Sequence, residues 1–146
     1  MFAIEWLRSC ISIHDDGTFK ECPDLFFQFN VLFGERSNFI VPCCYMVLPN
    51  KTTASYIEAL QSVKNIVKPI ESNESVLPIN PVYAMADFEL GMQNAIINQF
   101  PGIKLKGCFF HLKQAVQHWV NIKGYKKEMK SNSEFRIWKI CCLLLL

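Results

Sequence analysis

The sequence predicts an α/β fold in which helices pack on the faces of a mixed β-sheet. Three observations lead to this fold class. Apolar runs typical of strands fill the first third of the 146-residue chain, helical spacing of apolar residues begins at Thr52, and strands and helices then alternate. A run of strands followed by such alternation favours a sheet covered by helices, in the order β-β-β-α-β-α-β-α.

Three strands are predicted before residue 50. They are "RSCISIHD" (8–15), "LFFQFNVLFG" (25–34) and "FIVPCCYMVLP" (39–49). Short turns separate them, which indicates an antiparallel meander. Because alternating strand positions bury large rings, we expect the aromatic residues here to belong to the core; they are Phe26, Phe27, Phe29, Phe33 and Phe39.

The first predicted helix covers "TTASYIEALQSVKNIV" (52–67). Its apolar residues fall on one stripe at helical spacing; they are Tyr56, Leu60, Val63 and Val67. Ser55 and Glu58 have the S-x-x-E spacing of a capping box, which predicts the start of the helix.

Residues 68–81 contain three prolines and predict an exposed connection. The short strand "VYAMADFE" (82–89) follows, and its end delivers Asp87. Helical spacing then resumes until Pro101-Gly102 ends the second helix; the apolar positions are Phe88, Met92, Ala95, Ile96 and Phe100.

The last two predicted elements follow that break. "IKLKGCFFH" (103–111) alternates apolar residues with lysines, which predicts a fifth strand. "LKQAVQHWVNIKG" (112–124) predicts a third helix closed by Gly124.

Two adjacent carboxylates, Asp15 and Asp16, stand where the first strand leaves the core. Like charges repel, so such a pair either lies in a solvated turn or neutralises a cation. Asp16 and Asp87 each end a predicted strand, and sites in open α/β sheets form at the carboxyl ends of neighbouring strands. If these two strands are neighbours, the two carboxylates meet at one edge of the sheet and share a divalent cation.

The composition indicates one domain, residues 1–146, with an uneven charge. Residues 1–100 carry six Lys/Arg and eleven Asp/Glu, whereas residues 101–146 carry nine and two. The basic tail suits a phosphate-binding surface or a solvated helix face; its clustered lysines are Lys123, Lys126, Lys127 and Lys130.

The cysteines and the two chain ends exclude several protein classes. Seven cysteines with no CxxC do not form a disulfide framework, which indicates a reducing compartment. Glu5 and Arg8 interrupt what a signal peptide needs, and "CCLLLL" is too short to cross a bilayer. The final apolar run is interpreted as the truncated start of a core helix.

Four blocks resemble the transposase domain of Mutator-like elements, a branch of the ribonuclease H-like nucleotidyltransferases. They are "DGTFKECP" (16–23) with Gln28 beyond it, "VPCCYMVLPNKTTASYIEAL" (41–60), "ADFELGMQNAI" (86–96) and "FPGIKLKGCFFHLKQAV" (100–116). The blocks run in the family's order over nearly the whole chain.

The resemblance implies a ribonuclease H-like fold, DNA as partner, a nuclear location and Mg²⁺ or Mn²⁺ as cofactor. It makes Asp16 and Asp87 the first two catalytic, metal-binding acids, while Asp15 is a bystander. Glu89 also matches, and we expect it to interact with the helix N-terminus that follows. The implied reaction is metal-dependent cleavage and transfer of DNA strands in cut-and-paste transposition.

Cys108 and His111 match the family's C-x-x-H, which implies two ligands of a zinc ion. Structural zinc takes four ligands, and His118, Cys141 and Cys142 are the remaining candidates. A small buried cysteine and a hydrogen-bonded histidine are the alternative interpretation.

The third acid of the family has no counterpart in a matching context. It lies far downstream of C-x-x-H, and only Glu128 and Glu134 remain as substitutes. We therefore expect a C-terminally truncated, transposase-derived domain that is inactive by itself, since losing one member of a catalytic unit removes most of the rate. Two alternatives stay open: a domesticated, non-catalytic module that binds DNA or protein, and a small α/β protein whose paired acids are solvated turns. Oligomeric state is not predictable from the sequence.

Overall fold

Residues 2–18, 22–67 and 79–137 are described by the computed structural model of the chain. They fall into two units, one that runs to Lys106 and one that begins at Gly107. The elements in chain order are α1 (Phe2–Ser9), β1 (Ser12–Thr18), β2 (Gln28–Arg36), β3 (Phe39–Leu48), α2 (Thr53–Val67), β4 (Tyr83–Ala86), α3 (Leu90–Gln99), β5 (Lys104–Gly107), α4 (Phe109–Ile122) and α5 (Lys126–Ser131).

The five strands form one mixed sheet in the order β3-β2-β1-β4-β5. β1, β2 and β3 pair antiparallel, which confirms the predicted meander. β1 pairs with β4 in parallel, with Ser12 opposite Tyr83 and His14 opposite Met85. The expectation that the strands before Asp16 and Asp87 are neighbours is therefore confirmed.

The hairpin between β2 and β3 turns through Ser37 and Asn38, whose φ angles are 52° and 66°. Asparagine tolerates this left-handed conformation better than most residues. The ladder shifts register between Leu32 and Phe33, where Pro42 lies opposite Phe33. β3 is an edge strand, the position in a sheet where a proline is tolerated.

Two faces of the sheet differ in character. We call inner the face that carries Ile13 and Leu32, both 1 % exposed, and on which α1 and α2 pack. We call outer the opposite face, where Phe29 stacks on Tyr45 with ring centroids 5.9 Å apart. Tyr45 is 63 % exposed.

The expectation that the strand aromatics form the core is wrong for three of them. Phe26, Phe27 and Phe39 are exposed, and Phe29 and Phe33 are only half-buried. The buried positions of β2 are instead Gln28, Asn30, Leu32 and Gly34. In "LFFQFNVLF" both parities contain apolar residues, so alternation alone does not decide which set faces the helices.

The start of α2 is capped three residues earlier than the capping box predicts. Thr52 Oγ1 accepts a hydrogen bond from the Ser55 amide at 3.3 Å, and Asn50 Oδ1 accepts one from the Thr52 amide at 3.0 Å. Thr52 is therefore the N-cap, whereas Ser55 lies inside the first turn. The predicted stripe of four buried residues is confirmed.

Three boundaries depart from the prediction. Residues Arg8 and Ser9, assigned to the first strand, end helix α1, which was not expected. Residues 109–111, assigned to the fifth strand because they follow the alternation of apolar residues with lysines, begin α4. A further short helix, α5, follows Gly124. Most of the predicted connection, residues 68–78, lies outside the described residues.

The core of the first unit lies between the inner face and its helices. Leu7 of α1, Tyr56 and Leu60 of α2, and Met92 and Ile96 of α3 are all nearly inaccessible to solvent. In the second unit, Tyr125 contacts Trp119 and Phe135 with ring centroids 5.8 and 5.3 Å apart.

Candidate functional site

Asp16 and Asp87 lie at the same end of the sheet, because β1 and β4 are parallel neighbours and both run towards it. We call this end, with its carboxyl groups, the acidic edge. The register pairs His14 of β1 with Met85 of β4, and Asp16 and Asp87 each lie two residues further along the chain. Adjacent strands lie about 4.8 Å apart, so two carboxylates in this arrangement can reach one ion. Asp87 follows β4 directly, as predicted, but Asp16 lies within β1 rather than at its end.

Asp15 and Asp16 point to opposite faces, since successive strand residues alternate. Asp16 is exposed, whereas Asp15 is on the inner face and only 7 % exposed. The Asn30 side-chain amide donates hydrogen bonds to both oxygens of Asp15, each at 3.0 Å. Asp15, which sequence reasoning left without a role, is thus the buried acid of the pair.

The environment of Asp15 disfavours its charged form. Burial raises the pKa of this carboxyl to about 7, although the hydrogen bonds from Asn30 lower it. The negative charges of Asp87, Asp16 and Glu89 raise it further. Four carboxyl groups therefore interact electrostatically at this edge, and clustered acids with perturbed pKa values mark candidate functional sites.

The turn between β4 and α3 holds Asp87 in place. Its Oδ1 accepts a hydrogen bond from the Glu89 amide at 2.9 Å, and its backbone carbonyl accepts one from Gln93 Nε2 at 2.8 Å. Asp87 is half-buried. The N-cap position of α3 is occupied by Glu89, with no side-chain capping bond.

The Glu89 carboxylate is directed to the start of α2, not to the N-terminus of α3 as expected. Its Oε1 lies 2.5 Å from the Tyr56 hydroxyl, and its Oε2 accepts from Lys51 Nζ at 2.7 Å. The Tyr56 hydroxyl is also 2.7 Å from the side chain of Gln28. Burial and the hydrogen bond to Glu89 raise the pKa of Tyr56.

This polar network on the inner face was missed from the sequence. Its buried members are Asp15, Gln28, Asn30 and Tyr56. Asn30 Oδ1 is buried without a hydrogen-bond partner among the described residues. The sequence pattern that could have revealed the network is the placing of polar or small residues at every second position, Asp15 and Gly17 in β1 and Gln28 and Asn30 in β2. Gly17 gives Gln28 room, because a Cβ there would clash with its Nε2.

The oxygen donors present fit a hard divalent cation in chemical type. Asp15 accepts hydrogen bonds from Asn30, and Glu89 is hydrogen-bonded to Tyr56 and Lys51. No group of three or more His, Cys, Asp or Glu side chains arranged for a metal occurs within the described ranges. Metal binding by Asp16 and Asp87 stays a prediction.

Cys108 and His111 lie at the start of α4, in the second unit. Cys108 is the N-cap residue and is half-buried, and the ring of His111 contacts Phe110 edge-on at 5.5 Å. Cys108 has an extended backbone and lies just before the helix, whereas His111 lies in its first turn. Zinc binding here stays a prediction, and further ligands are needed for it.

The second unit presents exposed lysines around α5. Lys126, Lys127 and Lys130 line a shallow groove together with Gln117, Asn121 and Met129. Lys123 is exposed at the end of α4. Glu128 and Glu134, the substitutes considered for a third acid, are exposed in the same unit.

A separate cavity of about 350 Å³ lies at the opposite end of β1 and β4. Ser12, His14 and Tyr83 line it, and His14 Nε2 is 2.8 Å from Glu35 Oε2. Met85 lines the cavity too, so the cavity ends two residues before Asp16 and Asp87.

Comparisons with known proteins assign the chain to a family. The family model described as MULE transposase domain matches residues 12–115, which include β1 to β5 and the first turns of α4. The comparison with individually curated proteins finds no match. None of the helices in the described part of the chain is long and apolar enough to span a membrane. The mixed five-stranded sheet with helices is consistent with a ribonuclease H-like transposase fold. Since the match covers well over half of the residues, the chain belongs to the MULE transposase domain family.

Proposed function

We propose that this chain is a transposase-derived, ribonuclease H-like domain whose ancestral reaction is metal-dependent cleavage and transfer of DNA strands. The observation that carries the proposal is the parallel pairing of β1 with β4, which brings Asp16 and Asp87 to one edge of the sheet. In this proposal residues 1–146 act as one transposase domain, whose place of action is the nucleus.

Asp16 and Asp87 are proposed to hold Mg²⁺ or Mn²⁺ through carboxylate oxygens. The chemistry that such ions supply is activation of a water or a 3′-hydroxyl and stabilisation of the leaving oxygen of a phosphodiester. The chain contributes the placement: Asp16 is reachable from solvent, and Asp87 is oriented by the Glu89 amide.

Thermal unfolding with and without Mn²⁺ tests the cation site. We expect Mn²⁺ to raise the melting temperature of the wild type, because a ligand that binds only the folded chain stabilises it. The shift should vanish in the Asp16→Asn, Asp87→Asn double variant. Asp24→Asn is the matched control, since Asp24 is exposed and outside the acidic edge. A wild type that gains no stability from Mn²⁺ would contradict the assignment.

The domain is proposed to be inactive or nearly so by itself, since a third metal-binding acid is missing from the described residues. Incubation of the purified chain with labelled DNA and Mg²⁺ or Mn²⁺ should give no cleavage above background. Cleavage that Asp16→Ala abolishes would overturn this part of the proposal and restore an active enzyme.

DNA is the proposed partner of the groove around α5, because several exposed lysines near a polyanion gain from counterion release. Fluorescence anisotropy with a labelled duplex at several salt concentrations measures this. Lys126→Ala with Lys127→Ala should weaken binding and reduce the slope of log K against log salt by about 1–2. Lys113→Ala, on α4 but outside the groove, is the control, and an equal loss there would show an effect of net charge alone.

A domesticated module that binds DNA or protein without cleaving is the second candidate. The lack of a three-acid group in the described part of the chain favours it. DNA binding that persists in the Asp16→Asn, Asp87→Asn double variant, together with no cleavage by the wild type, is the result that separates it from an enzyme.

A further inference from the structure

We propose that Tyr56 and Glu89 are positioning residues that fix the carboxylate of Asp87 against β1. The inference rests on the proposed function for its link to a cation, whereas the positioning itself depends only on the geometry of the inner face. Three successive links connect Asp87 to the body of the sheet.

The first link is the turn that follows β4. The Glu89 amide donates to Asp87 Oδ1 at 2.9 Å, so the orientation of the Asp87 carboxylate depends on where the backbone of Glu89 lies. Gln93 Nε2 donates a hydrogen bond to the Asp87 carbonyl oxygen at 2.8 Å, which connects the same turn to α3. Displacement of Glu89 therefore releases Asp87.

The second link anchors Glu89 to the start of α2. Both of its oxygens are engaged, one by the Tyr56 hydroxyl at 2.5 Å and one by Lys51 Nζ at 2.7 Å. The Glu89 side chain is 16 % exposed. Hydrogen bonds to a charged and largely buried carboxylate are shorter and stronger than neutral ones. Glu89 is therefore held from two sides.

The third link joins Tyr56 to β2, the strand beside β1. The Tyr56 hydroxyl is 2.7 Å from the amide of Gln28, and these side chains are 0 % and 2 % exposed. A hydroxyl has one hydrogen, and the Glu89 carboxylate is the stronger acceptor for it. A 180° turn of the Gln28 amide keeps its shape and lets its NH₂ group donate to the hydroxyl oxygen, so that the hydroxyl both donates to Glu89 and accepts from Gln28.

Close packing between α2 and α3 makes the second link possible. A Cβ on Gly91 would lie 2.6 Å from the Lys51 carbonyl oxygen and 3.2 Å from the Tyr56 ring. Absence of a side chain at this position lets the two helix starts approach. Lys51 and Tyr56 reach Glu89 from there.

Amide hydrogen exchange measured by NMR without metal tests the positioning. The backbone amide of residue 89 should exchange about threefold to tenfold faster than in the wild type in both Tyr56→Phe and Glu89→Gln. Tyr56→Phe loses the hydrogen bond to the hydroxyl, and Glu89→Gln loses the ion pair with Lys51. The Ala84 amide in β4 reports general destabilisation and should change less. Tyr45→Phe and Glu58→Gln are matched controls on exposed residues and should leave the Glu89 amide unchanged.

Mn²⁺ titration of the same variants tests the link to the site. We expect the Mn²⁺ dissociation constant to rise about threefold to tenfold in Tyr56→Phe, which removes one hydrogen bond to Glu89 and no charge. Glu89→Gln also removes a negative charge near the cation, so Tyr56→Phe is the variant that decides. A purely structural role predicts a lower melting temperature with an unchanged Mn²⁺ affinity, and that result would overturn the link.

Failure of the positioning and failure of the cation site give different results. If the Glu89 amide exchanges no faster than the Ala84 amide in both variants, the positioning is wrong whatever the wild type does with Mn²⁺. If the wild type does not bind Mn²⁺ but the Glu89 amide responds, the positioning holds and the cation site falls.

Discussion

The two faces of the sheet both depart from the common arrangement of apolar and polar residues. On the inner face, beneath α1 and α2, buried polar groups such as Asp15, Gln28 and Asn30 lie among apolar neighbours. On the outer face, large apolar side chains such as Tyr45 and Val47 are exposed. Antiparallel strands more often bury their apolar side and solvate their polar side.

Which strand residues are buried in this sheet depends on the face that the helices cover, and not on which set of alternate residues is the more hydrophobic. Buried polar groups are costly unless hydrogen-bonded, and Asp15 and Gln28 have partners in Asn30 and Tyr56. The predictions below test this division.

The largest expected difference between the faces comes from matched truncations. Leu32→Ala, on the inner face, should destabilise the chain by about 2–5 kcal/mol because it leaves a cavity. Tyr45→Ala, on the outer face and 63 % exposed, should cost about 1 kcal/mol or less. Urea unfolding followed by tryptophan fluorescence measures both. Equal costs would mean that the outer face is covered in solution.

Removing the buried charge of Asp15 should stabilise the chain at alkaline pH. Its folded-state pKa of about 7 lies above the ordinary value of 3.8, so its contribution to stability is complete below pH 4 and is lost as pH rises through 7. Asp15→Asn lacks this loss and should be more stable than the wild type by about 1–3 kcal/mol at pH 8. Unfolding measured from pH 4 to 8 with a chelator present checks the sign. A wild type whose stability rises over this range relative to the variant would contradict the burial of Asp15 as a carboxyl group.

Gly91→Ala should destabilise the chain although alanine is the better helix former. The added Cβ would lie 2.6 Å from a backbone oxygen, which forces α2 and α3 apart at a cost of about 1–3 kcal/mol. Asn94→Ala, exposed on the same helix, is the control and should stabilise slightly. If both variants stabilise, the helix starts do not approach closely.

The smallest expected effect concerns the attachment of α1 to the inner face. Trp6 Nε1 donates a hydrogen bond to the Gly34 carbonyl at 2.8 Å. Trp6→Phe keeps an aromatic ring but loses this donor, so the free energy of unfolding should fall by about 0.5–1.5 kcal/mol. Denaturant unfolding with circular dichroism measures it, and no change would show that packing alone holds α1.

The sequence predicted the order of the five strands and of the three main helices because their periodicity is strong. The stripe from Tyr56 to Val67 and the break at Pro101-Gly102 are the clearest cases. Helix α1 was missed because the first strand was extended back to Arg8, across the two residues that separate α1 from β1.

The candidate site was predicted in part. Motifs single out Asp16 and Asp87, whose strands lie side by side, but local patterns do not report long-range hydrogen bonds. The contacts of Glu89 with Lys51 and Tyr56 span 38 and 33 residues. The inward orientation of Asp15 depends on strand parity, which the apolar run of β2 leaves ambiguous.

Pro42 has a consequence for how the molecules behave when concentrated. An unpaired edge strand exposes backbone N–H and C=O groups, with which a strand of another chain can pair and begin aggregation. β3 is an edge strand, and its exposed apolar residues Phe39 and Ile40 favour such pairing. A proline lacks the amide hydrogen that an incoming strand needs, and the register shift beside it interrupts the even spacing of such groups. Pro42 therefore leaves β3 with one amide hydrogen fewer for pairing with any other strand.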